Sequence, residues 1–531
     1  MNLLGLLKGI VRWTWRILEG VRRVLSLLLV VVFLLILLAS LAPDELRQVP
    51  DSTALVLAPE GTLVDQLSGD ALDRALARAR GLPIQETLLK DLIDAVREGR
   101  EDERVKVLVL ELDGLGAAGL SKLQDIGDEI LAFKESGKPV VAVASTFSRN
   151  QYYLAAYADE IFMHPMGYIY IDGYSRYLPY YRSAIDKLLV DFYVWRVGEY
   201  KSFVEPILRD DMSAEDREAA SAYLEALWET YQSDVTAARG LAADTLQRYA
   251  DNAVELMAEA GGDSGQAALN MDLVDELLPR DEITARIKAL VGAEDDGDDE
   301  EDERSYPRIG HEDYLAAIRH GGPEADEDDT VAVLVASGTI LDGEQPPGTI
   351  GGDSTSALIR QIAEDDDVRA LVLRVDSGGG SAFASELILR ELEVFQQSGR
   401  PLVVSMGSVA ASGGYWISMS ADEIWASPAT LTGSIGVGAT LPTVPRTLDA
   451  LGIHVDGLGT TELAGQLDLT RPLGPDAANL LEQSVNYTYK RFITKVAEYR
   501  DRDVAAIDAV ARGRVWIAPQ AQSAELVDRL G

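Results

Sequence analysis

Short, almost wholly apolar runs recur along this chain, separated by longer stretches whose apolar residues return at helical spacing. TALVLAP from Thr53, VKVLVLELDG from Val105, PVVAVAS from Pro139 and EIFMHP from Glu160 read as strands. Runs this brief and this uniformly rich in Val, Ile and Leu belong to a sheet covered on both faces, because a half-exposed strand would alternate with polar residues. The intervening stretches predict helices, so the expected fold class is α/β, built of βα units.

The pattern occurs twice. VKVLVLELDG from Val105 returns as VRALVLRVDS from Val368, a shift of 263 residues. Around it, TALVLAPEGTLVD from Thr53 matches VAVLVASGTILD from Val331, SGKPVVAVAS from Ser136 matches SGRPLVVSMG from Ser398, and ADEIFMHP from Ala158 matches ADEIWASP from Ala421. Each half also carries a long helical stretch, 214–238 in the first and 475–498 in the second, with Ser213 as a plausible N-cap of the former. These helices read as packing or oligomer arms.

The N-terminus breaks the pattern. Val24 to Ala42 is nineteen residues without a charge, preceded by Lys8, Arg12, Arg16, Arg22 and Arg23 against the single acid Glu19. At ~1.5 Å per residue such a helix spans most of a ~30 Å hydrocarbon core. The basic flank places residues 1–23 in the cytoplasm and everything after the anchor at 24–42 across the membrane. A cleaved signal peptide is the alternative, with Ser40 and Ala42 small enough for a cleavage site, but its apolar region would be unusually long. Between the halves, 294–303 holds nine acids and one glycine, read as a solvated linker; its spacing does not match a calcium loop. The expected organisation is therefore a basic arm at 1–23, an anchor at 24–42, a first half at 43–293, an acidic linker at 294–327 and a second half at 328–531.

A formal charge of −39 argues against nucleic acid as a partner. The absence of cysteine excludes disulfides and thiolate chemistry. Four histidines, at 164, 311, 320 and 454, offer no metal-ligand spacing, so neither metal nor cofactor is expected.

Chemistry is distributed unevenly between the copies. Ser412 lies in Ala-Ala-Ser-Gly-Gly, between strand-like and helix-like residues, where small neighbours leave its hydroxyl uncrowded. At the 263 shift its counterpart is Arg149. Lys201, in VGEYKSFVEP, has Ala464 as its counterpart. A lysine is ordinarily a solvated surface charge, but here lysine is scarce and apolar and aromatic residues flank it. Burial would lower its pKa and make it a neutral general base, which a serine hydroxyl needs. One copy thus keeps a serine without a lysine and the other a lysine without a serine. Asp376-Ser377-Gly378-Gly379-Gly380-Ser381 also follows a strand and opens a helix, and its glycines let backbone N–H groups approach a ligand. His454 and His164 are the competing bases, and nothing in their surroundings marks them as catalytic.

The segments RVDSGGGS, GSVAASGGYW, ADEIWASPATLTGSIGV and GEYKSFVEPILRDDMS, in this order-preserving set, resemble the long, tandem-domain form of the bacterial signal peptide peptidase A family across essentially the whole chain. The resemblance implies tandem ClpP/crotonase-like domains of repeated ββα units with one N-terminal transmembrane helix. It implies a membrane-bound serine protease that degrades remnant signal peptides, with Ser412 as nucleophile, Lys201 as general base, Gly413 and Gly380 as oxyanion-hole donors and Ser434 supporting the lysine. It further implies a homotetramer in the bacterial inner membrane with its catalytic body on the periplasmic side. One departure is visible: the family's Asn-Ser-Pro-Gly-Gly turn reads Asp376-Ser377-Gly378-Gly379-Gly380 here, which predicts a looser turn with added charge. The competing expectations are an acyl-CoA enzyme of the crotonase type and a non-catalytic membrane scaffold.

Overall fold

The apolar runs form two parallel sheets. The computed structural model describes residues 48–82, 85–292, 306–321 and 329–531, with helical positions within 13–31. Most of the expected anchor at 24–42 and all of the acidic stretch 294–303 lie outside the described residues. Among the described residues no helix is long and apolar enough to cross a membrane.

The first sheet runs in the order Glu276–Leu277, Glu160–Met163, Val140–Ala144, Val105–Glu111, Thr53–Leu57 and Arg308–Gly310, every neighbouring pair parallel. The second runs Thr330–Ser337, Val368–Ser377, Leu402–Ala411, Glu423–Ala426 and Arg529–Leu530, these five parallel, and Leu431–Gly433 branches from Leu402–Ala411 to pair antiparallel with Val515–Ile517. Segments that match at the 263 shift occupy the same place in the order of their sheets, and Arg308–Gly310 is an extra edge strand of the first. Two-sided burial explains the uniformly apolar runs. Val107 and Val109 pack with Ile287 and Val291 of helix Arg280–Val291. Leu108 and Leu110, which the two-residue strand period sends to the other face, are buried as well. Each such side chain contributes about 1.5–3 kcal/mol.

The SG(Lys/Arg)Pro turns do the same work in both halves. Lys138 Nζ donates to the carbonyls of Gly99, Arg100 and Asp102 at 2.9, 2.9 and 2.7 Å, closing helix Leu89–Glu101. Arg400 donates to the carbonyls of Ile362, Ala363, Asp365 and Val368 beside helix Gly352–Glu364. A cation there satisfies carbonyls that the helix end leaves unpaired.

Two elements cross between the halves and position the site. Strand Asp191–Val197 pairs antiparallel with Val437–Thr443, in register from Asp191 opposite Thr443 to Val197 opposite Val437. The predicted long helices are Ala214–Arg239 and Pro475–Tyr499. Ser213 caps the former, its hydroxyl accepting the Asp216 N–H at 3.0 Å. Both pack within the chain, the first against Val515–Ile517 of the second half and the second against the two crossing strands.

Candidate active site

Ser412 stands where strand Leu402–Ala411 turns sharply into helix Gly413–Ser418. Its backbone has φ 55° and ψ −116°, a left-handed conformation that costs a residue with a Cβ about 1–3 kcal/mol. The turn is held because the Ser412 N–H donates to the Gly433 carbonyl at 2.8 Å. The next helical turn presses onto the neighbouring strand: a Cβ on Gly414 would lie 2.5 Å from the Ser377 carbonyl oxygen. Only small residues allow that approach, which is why the motif reads Ala-Ala-Ser-Gly-Gly.

Lys201 arrives from the first half. The crossing strand Asp191–Val197 delivers it, and the Tyr200 N–H donates to the Arg512 carbonyl at 3.1 Å. Arg196 donates to the Lys201 carbonyl at 3.2 Å and pairs with buried Glu205 at 3.6 Å. The lysine stem runs so close to Gly436 and Gly513 that a Cβ on either would sit 3.2 Å from its Cδ or 2.6 Å from its N. Its Nζ lies 2.9 Å from Ser412 Oγ, 2.9 Å from the Ser434 carbonyl oxygen and 3.1 Å from Ser434 Oγ. Lys201 is only 8% exposed. Burial, with no carboxylate against it to oppose the effect, pushes its pKa down to about 8.

The backbones of Gly380 and Gly413 lie close together: a Cβ on Gly413 would sit 3.1 Å from the Gly380 nitrogen. Neither backbone N–H has an acceptor among the described residues. Gly379 makes the approach feasible: its φ is +99°, and a Cβ there would lie 2.5 Å from the Gly413 nitrogen. The glycine-rich turn is braced rather than loose, correcting the expectation from the missing proline. The Ser377 hydroxyl donates to the Gly338 carbonyl at 2.6 Å and accepts the Gly379 N–H at 3.1 Å. The added charge of Asp376 is also compensated, since Lys122 of the first half lies 2.6 Å from its Oδ2.

Lys201, Ser412, Ser434, Gly380 and Gly413 line one cleft of about 650 Å³, together with Phe203, Trp416 and Phe492. The Trp416 and Phe492 rings meet at 4.4 Å, and the indole N–H of Trp416 donates to Glu386 at 3.0 Å. This aromatic wall and Lys122 were missed in the sequence. The one local sign of Lys122 is its place among Leu120, Leu123 and Ile126 on the buried face of helix Leu120–Lys134.

The remaining candidates lie elsewhere. Arg149 begins helix Arg149–Ala155, donates to the Gly173 carbonyl, pairs with Asp172 at 3.6 Å and lies over the Tyr174 ring at 4.0 Å. A side chain therefore fills the place that Ser412 holds in the other half. Ala464 is exposed. His454 is exposed and faces Asp449 at 3.2 Å, while His164 Nδ1 accepts the Met166 N–H. No histidine lines the cleft. Among the described residues no cluster of acids and histidines could hold a metal ion.

The pattern of peptidase family S49 matches residues 132–294 and 394–531. Protease 4 of Salmonella typhi is 38% identical over 98% of this chain and 84% of its own. A chloroplastic serine protease SPPA of Arabidopsis thaliana is 30% identical over 81% of this chain and 62% of its own. Among solved structures, a ClpP1 mutant from Listeria monocytogenes aligns with 38% of this chain and 90% of its own, at 11% identity and a TM-score of 0.26.

Proposed function

The chain belongs to peptidase family S49 and is a serine protease; from that premise we propose that Ser412 is its nucleophile and Lys201 the general base. The observation that carries the reading is the 2.9 Å separation between Lys201 Nζ and Ser412 Oγ inside one chain. A neutral amine has two N–H groups and one lone pair. The Ser434 carbonyl and hydroxyl, at 2.9 and 3.1 Å, take the two N–H groups and leave the lone pair facing the Ser412 hydroxyl.

The base removes the Ser412 proton as Oγ attacks the scissile carbonyl. The N–H groups of Gly413 and Gly380 receive the developing oxyanion, a stabilisation of roughly 3–4 kcal/mol per donor. Lys201 then protonates the leaving amine, and water releases the acyl group by the same steps. Membership of a peptidase family removes the acyl-CoA and scaffold alternatives.

The substrate is proposed to be apolar peptide, remnant signal peptides above all, which suits a cleft walled by Trp416, Phe492 and Phe203. The matching order of the two sheets supports tandem ClpP/crotonase-like domains at 43–293 and 328–531; within the expected linker at 294–327, Arg308–Gly310 is instead an edge strand of the first sheet. The charge-free run at 24–42 behind a basic arm supports a single-pass anchor in the bacterial inner membrane, with the body on the periplasmic side. A homotetramer completes the proposal.

A serine-directed fluorophosphonate is expected to label wild-type protein at Ser412 and to leave Ser412→Ala unlabelled. Lys201→Ala and Ser412→Ala are each expected to abolish peptide hydrolysis. Near-normal hydrolysis by Lys201→Ala would remove the lysine from the mechanism.

A further inference from the structure

Behind the glycine-rich turn lies a buried charge cluster that the dyad does not use. Lys122, 2% exposed, comes from the first half on helix Leu120–Lys134. Its Nζ lies 2.6 Å from Asp376 Oδ2, 2.7 Å from Asp65 Oδ2 and 3.2 Å from Ser408 Oγ. Asp65 has a second cation, Arg374, at 3.0 Å. The hydroxyls of Ser121 and Ser408 meet at 2.9 Å across the same junction.

Asp376 is the pivot of this arrangement. Its Oδ2 faces Lys122, while its Oδ1 accepts the Val409 N–H at 3.0 Å. Val409 lies four residues before Gly413, on the strand that presents Ser412, and Asp376 lies four residues before Gly380. One carboxylate therefore ties together the two chain segments that end in the oxyanion donors. Each segment leads directly from the carboxylate to a donor, so a displaced carboxylate changes the spacing between the two N–H groups.

We propose that Lys122 is a positioning residue for catalysis: by fixing Asp376 from the opposite half, it sets the distance between the Gly380 and Gly413 N–H groups. This rests on the reading of Ser412 and those two donors as the active site.

The test is a double-mutant cycle in the full-length protein with Lys122→Met and Asp376→Asn, using a peptide substrate and a peptide aldehyde that mimics the tetrahedral adduct. Lys122→Met is expected to lower kcat about tenfold or more with KM nearly unchanged, because displaced oxyanion donors act on the transition state alone. Aldehyde affinity should fall in parallel. In the Asp376→Asn background the same substitution should cost much less, since residues that act through one another are not additive. Unchanged kcat in folded Lys122→Met, or losses that simply add, would overturn the proposal. Should Lys122→Met fail to fold, Asp376→Asn alone decides. It keeps an oxygen for Val409 and loses only the ion pair, so kcat should drop at constant KM, and a wild-type kcat overturns the idea. Fluorophosphonate labelling separates the two layers: unlabelled wild-type protein at Ser412 would break the active-site reading itself, whereas a labelled wild type with an indifferent Lys122 breaks only this inference.

Discussion

A lysine whose pKa lies at about 8 is a weaker base than a free lysine, but it is neutral, and so able to take a proton, at a lower pH; Lys201 reaches that state through burial alone. Activity should therefore report its protonation. kcat/KM is expected to rise with pH as the ammonium loses its proton and to level off above about 8, where the neutral amine dominates. A profile flat from pH 6 to 9 would count against Lys201 as base. The same burial has a stability cost. Between about 8 in the folded state and the ordinary value of 10.5, the unfolded chain binds more proton, so stability rises with pH across that window and the penalty is complete below it. At pH 7 that penalty is about 3 kcal/mol, partly offset by the hydrogen bonds to Ser434. Lys201→Met should thus be inactive yet more stable than wild type by about 1–3 kcal/mol at pH 7, with the gap closing above pH 10. Denaturant unfolding at the two pH values measures it; a destabilised Lys201→Met would show that the hydrogen bonds outweigh desolvation.

At the scale of elements, the site is a set of turns held by sheet edges. Gly379 is one of the tight positions, with φ +99° and room for no Cβ, which would lie 2.5 Å from the Gly413 nitrogen. Gly379→Ala is expected to reduce kcat by about 100-fold or more, since it displaces an oxyanion donor, and to cost about 1–3 kcal/mol of stability, since alanine is strained at that φ. Wild-type turnover in that variant would move the oxyanion hole elsewhere. The strands were readable because burial on both faces removed polar residues from them, and runs such as VKVLVLE cannot be anything else in an α/β chain. Ser412 and Lys201 were singled out through the repeat, which exposed what each copy lacked, and the structure sets them 2.9 Å apart. The long helices were placed within a residue or two and read as packing or oligomer arms; the surfaces they pack on were not legible, because which surface covers a helix is decided by residues far away in sequence. Lys122 was illegible for the same reason: its partners Asp65, Asp376 and Ser408 come from three distant segments, and no local pattern joins them.

At the scale of the whole molecule, the proposed dyad meets within a single chain, across the ladder between Asp191–Val197 and Val437–Thr443. Coexpressed Lys201→Ala and Ser412→Ala chains are therefore expected not to complement one another, even where they assemble into mixed oligomers. Recovered peptide hydrolysis in the mixture would mean that the lysine strand is exchanged between subunits. The Lys122 cluster points the same way, because it fastens the first half to the glycine-rich turn of the second at a site separate from the ladder.

That ladder also imposes an order in time. A ribosome releases Lys201 more than two hundred residues before Ser412, and the amine has nothing to activate until Val437–Thr443 has emerged and docked beside it. Until then the growing polypeptide carries the proposed base without the ladder that sets it beside the serine, so the assembled pair belongs only to a chain synthesised past Thr443.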